Sequence, residues 1–238
     1  MEEMEDVPKQ YEFVSESYVE QVSRVWPGKG KHILAQSDEE SVVVYQAFPK
    51  EIAEYAVENK KFTGCECYNE SRMTWIKTNF MWMMYRSGWG SKQNQQHILA
   101  IWLKRGAFER YLENAKIVVT NKKELGKKPK NENKEMKGSI SVQWDPDHDH
   151  TGKALPYRKA IQIGLRKISS FAGGEDILCI KDISEFVAQQ RSIVKDKKKN
   201  PNIENLIVAR ERVYFPRSER VVNNIGLSVY EKECNNDR

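Results

Sequence analysis

Arginine, lysine and tryptophan side chains are interleaved in one stretch of the chain, SRMTWIKTNFMWMMYRS. Its apolar residues recur with a helical period, so we predict one helix over residues 72–86. At about 100° per residue, Arg72, Asn79 and Arg86 then fall in one stripe. A helix that is apolar on most of its surface is normally buried, and its cations then need anionic or polar partners.

Two interpretations of these cations stay open. Arg72, Lys77 and Arg86 could pair with internal carboxylates and serve the architecture. Alternatively they line a cleft and bind a phosphate or carboxylate, while the helix tryptophans Trp75 and Trp82 offer flat faces for stacking. The glycine-rich exit of the stretch, SGWGSK, favours the second interpretation, because its backbone N–H groups can approach an anion.

Three further polar residues are candidates for a site, and each has an architectural alternative. Asp145 follows the predicted strand SISVQW and could orient a base or a ribose hydroxyl, or cap the turn before Pro146. Arg158, in LPYRKAIQIGL, is an anion contact or a surface residue. Glu211, in ARERVYFP, is on its own typical of a solvated ion-pair partner.

Histidine and cysteine do not predict a metal site. Residues 147–150 read DHDH, but ligands adjacent in sequence do not usually all face one ion. Cys65 and Cys67 are two apart, while Cys179 and Cys234 stand alone. This is neither a disulfide framework nor a zinc pattern, so we expect reduced thiols and no metal cofactor.

The rest of the chain must supply the elements that hold these residues. Its 238 residues are 39% hydrophobic, enough for one sizeable core. SVVVYQAF is a buried strand, and KEIAEYAVENKKF after it has the spacing of a helix. Further strands are predicted at HILAIWL and SISVQW, and a helix begins at Ser184. We therefore predict one mixed α/β (α+β) domain with a central mixed sheet and packed helices.

We divide the chain into three parts. Residues 1–40 form an N-terminal extension with a short helix, and residues 217–238 form a C-terminal tail. The core domain spans residues 41–216 and carries a lysine-rich insertion near 121–137.

Charge and hydropathy limit where the protein is expected to be located and which partners it is expected to bind. No apolar run is long enough for a transmembrane helix, and the N-terminus MEEMEDVPKQ lacks the apolar part of a signal peptide. We therefore expect an intracellular protein, cytoplasmic or nuclear, with no membrane partner. Much of the net charge of +5 lies in residues 122–137 and 195–199, which are solvated loops or contacts for RNA or DNA phosphates.

Seven blocks of the sequence resemble one known family, in that family's order: VYQAF, IAEYAVENKKF, RMTWIKTNFMWMMYRSGW, HILAIWLKRGAF, VQWDPDHD, LPYRKAIQIGL and ERVYFP. They run through residues 41–216 and identify the chain as a member of the family called domain of unknown function 4291. The family tends to continue WDP with Glu-Arg, whereas this chain has Asp147 and His148. A role that rests on that Glu-Arg pair therefore does not transfer.

The opening strand, the helix after it and the KKF turn are similar to the start of the ADP-ribosyltransferase fold, a more distant resemblance. It implies an enzyme that uses NAD and grips it through Tyr45 and Gln46 on the first strand, where Arg or His is more usual. Arg72 and Arg86 would hold the pyrophosphate, and Glu211 would be the late catalytic glutamate. Nicotinamide would stack on one of three aromatic residues, Trp75, Tyr85 or Trp89.

These observations favour a protein that binds a nucleotide or another anionic ligand. In one hypothesis it is an ADP-ribosyltransferase-like enzyme, with Lys77, Asp145 and Arg158 as substrate contacts. In the other it is a non-enzymatic nucleic-acid or nucleotide-binding module, because bases stack on aromatic faces while Lys and Arg contact phosphates. A protein-interaction scaffold is a third reading. Hydrolysis by a serine or cysteine triad is not supported, since no nucleophile-elbow motif is present.

Overall fold

The computed structural model describes residues 11–118, 138–195 and 203–229. The strands in these ranges are β1 (Ser15–Ser17), β2 (Gly30–Lys31), β3 (Ile33–Ala35), β4 (Ser41–Phe48), β5 (Thr74–Lys77), β6 (His97–Lys104), β7 (Lys116–Ile117), β8 (Ser139–His148), β9 (Ala154–Arg166), β10 (Ile177–Asp182), β11 (Ile207–Ala209) and β12 (Arg212–Tyr214). The α-helices are α1 (Tyr18–Glu20), α2 (Lys50–Asn59), α3 (Phe80–Ser87), α4 (Arg105–Glu113), α5 (Ser169–Ala172), α6 (Ser184–Lys195) and α7 (Glu219–Ile225). A π-helical turn, Gln21–Val25, follows α1, and a 3-10 turn, Ile203–Asn205, precedes β11. None of these helices is long and apolar enough to cross a membrane.

Eight strands form one central sheet in the order β10-β6-β4-β5-β9-β8-β7, with β2 beside β9. Its neighbours are antiparallel except where β7 runs parallel to β8 and β2 runs parallel to β9. Two short ribbons, β1 with β11 and β3 with β12, join the N-terminal segment to residues near the end of the chain. The sheet is therefore mixed, as predicted.

Helices cover both faces of the sheet, because its central strands are apolar on both sides. In β4, Val42 and Val44 pack into one core, and Val43 and Tyr45 pack into the other. Helices α2, α4, α5 and α7 contribute to the first core, and α1, α3 and α6 contribute to the second. The prediction of one mixed α/β domain with a central sheet and packed helices is confirmed.

The prediction of one helix over residues 72–86 is wrong. The stretch is divided into the strand β5, which pairs with β9, and the helix α3. Thr74, Trp75 and Ile76 favour an extended backbone, and Asn79 caps the helix by accepting a hydrogen bond from the Trp82 amide at 2.6 Å. Arg72, Asn79 and Arg86 therefore do not form a helical stripe.

Other elements match the sequence predictions to different degrees. The predicted strands SVVVYQAF and HILAIWL correspond to β4 and β6, and the helix predicted from Ser184 is α6. The short helix predicted in residues 1–40 is reduced to α1 and the π-helical turn, with β1 before them. The residues that follow Asn205 show no clear period in sequence, yet they include β11, β12 and α7. The insertion near 121–137 lies outside the described residues.

A buried glutamine ties the N-terminal segment to the end of the chain. The Gln21 side chain is fully buried, and its Nε2 donates to the Ala209 carbonyl at 3.0 Å. Its Oε1 accepts from the backbone amide of Glu211 at 2.8 Å. Two buried backbone groups thus depend on one side-chain amide.

We expect Gln21→Ala to lower the free energy of unfolding by about 2–3 kcal/mol, because both backbone groups lose their partner inside the protein. Urea denaturation monitored by tryptophan fluorescence measures this loss. Gln189→Ala, at an exposed position of α6, is the matched control and should change stability by less than about 0.5 kcal/mol. Equal, small losses in the two variants would contradict the role given to Gln21.

Candidate functional site

The central sheet opens between β4 and β5. These strands share one register pair, Tyr45 with Lys77, whereas β4 and β6 are paired along their whole length. Beyond that pair, the Gln46 Nε2 atom reaches across and donates to Thr74 Oγ1 at 2.6 Å. A cleft of about 720 Å³ lies at this opening, within the size range of small-molecule sites.

Side chains from six segments line the cleft. They come from the end of β4, the start of α2, residues 67–77, helix α3, residues 93–95 and strand β9. Five of the predicted site residues are among them: Gln46, Arg72, Trp75, Lys77 and Arg86. The lining includes three cations and one acidic residue, Glu51, so the cleft has an excess of positive charge.

Lys77 is the buried cation of the cleft. It is 4% exposed, and its Nζ donates to the Trp75 carbonyl at 3.4 Å. No carboxylate lies within ion-pair distance of it in the described ranges. Burial and the positive charge of Arg86 lower the pKa of Lys77 to about 8, although Asp145 acts in the opposite direction.

Arg72 and Arg86 are exposed at the cleft, and neither forms an ion pair with a carboxylate of the described chain. The described residues therefore provide no internal ion pairs for these cations, which was one of the two interpretations. Two buried carboxylates elsewhere in the fold are paired: the Arg158 Nε lies 2.6 Å from Asp147, and the Arg110 guanidinium lies 2.7 Å from Asp176.

Asp145 acts behind the wall of the cleft. Its carboxylate accepts hydrogen bonds from Gln143 Nε2 at 2.8 Å and from Gln162 Nε2 at 2.7 Å. Gln162 lines the cleft and stands opposite Lys77 in the register of β5 and β9. With its amide nitrogen turned to Asp145, Gln162 keeps its oxygen as an acceptor. Asp145 therefore orients a cleft residue and lowers the net positive charge around Lys77.

Trp75 is half-buried, and a glycine makes room for it. A Cβ atom added to Gly164 would lie 3.0 Å from Trp75 Cη2 and 2.6 Å from the sulfur of Met73. Gly164 therefore gives room to two residues of the cleft lining, a supporting role that our sequence reasoning missed. A glycine inside a strand pattern, as in AIQIGL, is itself a signal of such close approach.

Tyr45, Trp89 and Arg158 lie elsewhere. The fully buried ring of Tyr45 packs edge-on against Phe80, and Trp89 contacts Phe80 in the same core. Arg158 is paired with Asp147 and lies over the ring of Trp26. The N–H groups of the SGWGSK exit also have partners, since each donates within its own turn or back to α3.

Two residues of the DHDH run are held in other contacts. Asp147 is bound by Arg158, and the His148 ring stacks on Tyr85 with 3.5 Å between ring centroids. Burial lowers the pKa of both His148 and His150, which favours neutral rings. No group of three or more metal-ligating side chains with suitable geometry occurs within residues 11–118, 138–195 and 203–229.

Glu211 is fully buried at the start of α3 and is absent from the cleft lining. Its carboxyl oxygens accept from the backbone amide of Phe80 and from Asn79 Nδ2. Burial, together with the nearby Asp147, raises the pKa of Glu211 well above its ordinary value, against the opposing effects of the Phe80 amide and Arg158. This geometry makes Glu211 a support for the helix that carries Arg86.

Comparison with known families identifies the chain. Residues 32–214 match the family described as domain of unknown function (DUF4291), and the chain belongs to it. The match begins just before β3 and ends with β12, so it includes the cleft. A comparison with curated proteins gives no match.

We expect Glu211→Ala to destabilise the fold by about 2–3 kcal/mol, because the buried Phe80 amide loses its acceptor. Glu211→Gln keeps an acceptor oxygen and should lose about 1 kcal/mol or less. Urea denaturation at pH 7 compares the two variants with the parent chain. A Glu211→Ala variant as stable as the parent would contradict the supporting role.

Lys77→Met should raise the free energy of unfolding at pH 7 by about 2–3 kcal/mol. Methionine is similar in size to lysine, and the substitution removes an unpaired buried charge. The lysine pKa is 10.5 as a reference and about 8 in the fold, so between these values the unfolded chain binds more protons. The parent chain therefore gains stability as pH rises through this window, and its difference from Lys77→Met shrinks.

Urea denaturation at pH 7 and at pH 10 measures that difference. Lys104→Met, at an exposed position, is the control and should have little effect at either pH. A loss of stability in Lys77→Met at pH 7 would show that the ammonium has a stabilising partner.

Proposed function

We propose that the cleft binds the phosphate groups of a nucleotide and that NAD or ADP-ribose is the first ligand class to test. One observation carries the proposal: Arg72, Lys77 and Arg86 line one cleft and have no carboxylate partner in the described chain. Cations left unpaired are typical of sites whose counter-charge arrives with the ligand. Trp75 adds a flat apolar face to the same lining.

The surroundings of the cleft support a ligand with two ends. A second cavity of about 320 Å³ adjoins it and shares Tyr68, Arg72 and Thr74 with its lining. Arg72 thus lies where the two cavities meet, and the second one also has an apolar wall that includes Phe171. A dinucleotide has this form, since two ring systems are joined by a pyrophosphate.

ADP-ribosyl transfer is the reaction we propose to test, with a change in the residue assigned to it. A carboxylate that stabilises positive charge on the ribose must reach the ligand. Glu211 is fully buried at α3, whereas Glu51 is the acidic residue of the cleft lining. We therefore place Glu51, rather than Glu211, in the catalytic position.

Binding of RNA or DNA is the second candidate. Aromatic and basic residues in the cleft would also suit a single-stranded nucleic acid. The lysine-rich residues 122–137 lie outside the described residues, as do residues 196–199 of the second run. The distinguishing property is salt, because affinity for nucleic acid falls steeply as salt rises.

A thermal-shift panel with NAD, ADP-ribose, ATP, GTP and short RNA tests the proposal. A ligand at about 100 times its Kd stabilises by about 2.7 kcal/mol, which raises Tm by roughly 5–10 °C in a domain of this size. We expect this shift with NAD or ADP-ribose. Arg86→Gln should weaken binding by about 10- to 100-fold, since it loses a charge-assisted contact.

Arg24→Gln is the matched control, because Arg24 is exposed and is not part of the cleft lining. It should bind as the parent chain does. A nucleotide shift that Arg72→Gln and Arg86→Gln leave unchanged would place the ligand elsewhere. No shift with any nucleotide would overturn the proposal, and a salt-sensitive shift with RNA alone would favour the second candidate.

A further inference from the structure

Lys77 differs from the two arginines of the cleft in its surroundings. It is 4% exposed, while Arg72 and Arg86 are accessible and already supply positive charge. Trp75 and Met83 are among the apolar residues of the same lining. A guanidinium does not deprotonate in proteins, whereas a lysine amine does so readily once it is buried. The arrangement thus provides two fixed cations for an anion and one side chain that can become a neutral amine.

Both conditions that activate a lysine as a nucleophile are met. Such lysines are desolvated or lie next to another cation. Burial and the Arg86 charge together lower the pKa of Lys77 to about 8, and Asp145 is the charged group that opposes them. A substantial fraction of the side chain is therefore neutral slightly above neutral pH.

The cleft lining contains another polar group without a partner among the described residues. Gln46 Oε1 is buried and lacks a hydrogen-bond donor in the described chain, although its Nε2 is held by Thr74. Gln46 lines the cleft together with Lys77. An acceptor without a donor is costly in a folded protein and becomes favourable when a ligand hydroxyl supplies the donor.

We propose that Lys77 is a covalent nucleophile that forms a Schiff base with a phosphorylated aldehyde, including the open-chain form of a reducing sugar phosphate such as ADP-ribose. The inference rests on the proposed function, because Arg72 and Arg86 hold the phosphate that brings the carbonyl carbon to the amine.

The step is balanced in atoms and charge. The lone pair of the neutral Nζ attacks the carbonyl carbon, the C–N bond forms, and the carbonyl oxygen takes a proton and becomes a hydroxyl. The nitrogen loses one proton to water. The hydroxyl then takes up a proton and leaves as water, the C–O bond breaks, and a protonated imine remains. Asp145 and the bound phosphate balance its charge, and Gln46 Oε1 is an acceptor of the same cleft for a hydroxyl of the bound substrate.

Pyridoxal 5′-phosphate, an aromatic aldehyde that carries a phosphate, tests the proposal on the unmodified full-length chain. The imine is reduced with borohydride, and the rate of labelling at each lysine is measured by peptide mass spectrometry. We expect Lys77 to be labelled at least about tenfold faster at pH 8 than the exposed Lys50 and Lys104, because far more of it is neutral. Its rate should rise with pH to half its maximum near pH 8.

Matched reagents and variants separate the amine from the phosphate site. Pyridoxal, which lacks the phosphate, should label Lys77 several-fold more slowly, and inorganic phosphate should protect it. Arg72→Gln should slow labelling by pyridoxal 5′-phosphate but not by pyridoxal. ADP-ribose with cyanoborohydride should leave its adduct on Lys77, and Lys77→Arg should leave none there.

The outcomes separate this proposal from nucleotide binding. Labelling of Lys77 no faster than that of Lys50, alongside a thermal shift with ADP-ribose, would overturn the nucleophile and leave the nucleotide site intact. Fast labelling by both aldehydes, with no nucleotide shift and no protection by phosphate, would keep the nucleophile and overturn the phosphorylated substrate class.

Discussion

One register pair, Tyr45 with Lys77, joins β4 to β5 and thereby connects two halves of the central sheet. Strands β10, β6 and β4 form one half, and β5, β9, β8 and β7, with β2 beside β9, form the other. The pairs β4–β6 and β8–β9 inside the two halves are extensive, so the seam between the halves is sparsely paired by comparison. The cleft lies at this seam, and Lys77 belongs to the register pair that joins the two strands.

The distribution of paired and unpaired charges in the molecule follows from that opening. Away from the seam, buried charges are satisfied: Asp147 is bound by Arg158, and Asp176 by Arg110 and the hydroxyl of Tyr111. At the seam the sheet presents a buried ammonium with no carboxylate within ion-pair distance among the described residues, a destabilising feature that Asp145 offsets only in part. The contrast between paired charges in the architecture and unpaired charges in the cleft is the reason to regard the cleft as functional.

Local patterns in the sequence were sufficient to predict the helices and strands whose residue pattern is uniform along their length. SVVVYQAF could be recognised as β4 because a buried strand needs little context, and Ser184 marked the start of α6. The sequence analysis missed the division between β5 and α3 because TWIK and FMWMMYRS both have apolar residues on two faces. Together they therefore resemble one continuous buried helix. The Asn79 cap was the signal of a boundary. Residue type thus indicated Arg72, Lys77 and Arg86 as candidate site residues. Which side of the sheet they face depends on pairing between strands far apart in sequence.

Glu211 also shows that the sequence alone does not determine which residues reach the cleft. Sequence places a glutamate late in the chain, where the resemblance to ADP-ribosyltransferases expects a catalytic one, but only packing decides whether it meets a ligand. Here Glu211 and Asp147 share a buried region with one arginine, Arg158, and burial shifts Glu211 toward its neutral form. A neutral, enclosed carboxyl that accepts from the first amide of α3 cannot stabilise charge in the cleft. It supports the helix that carries Arg86, and so connects the end of the family's matched region to the cleft at the seam.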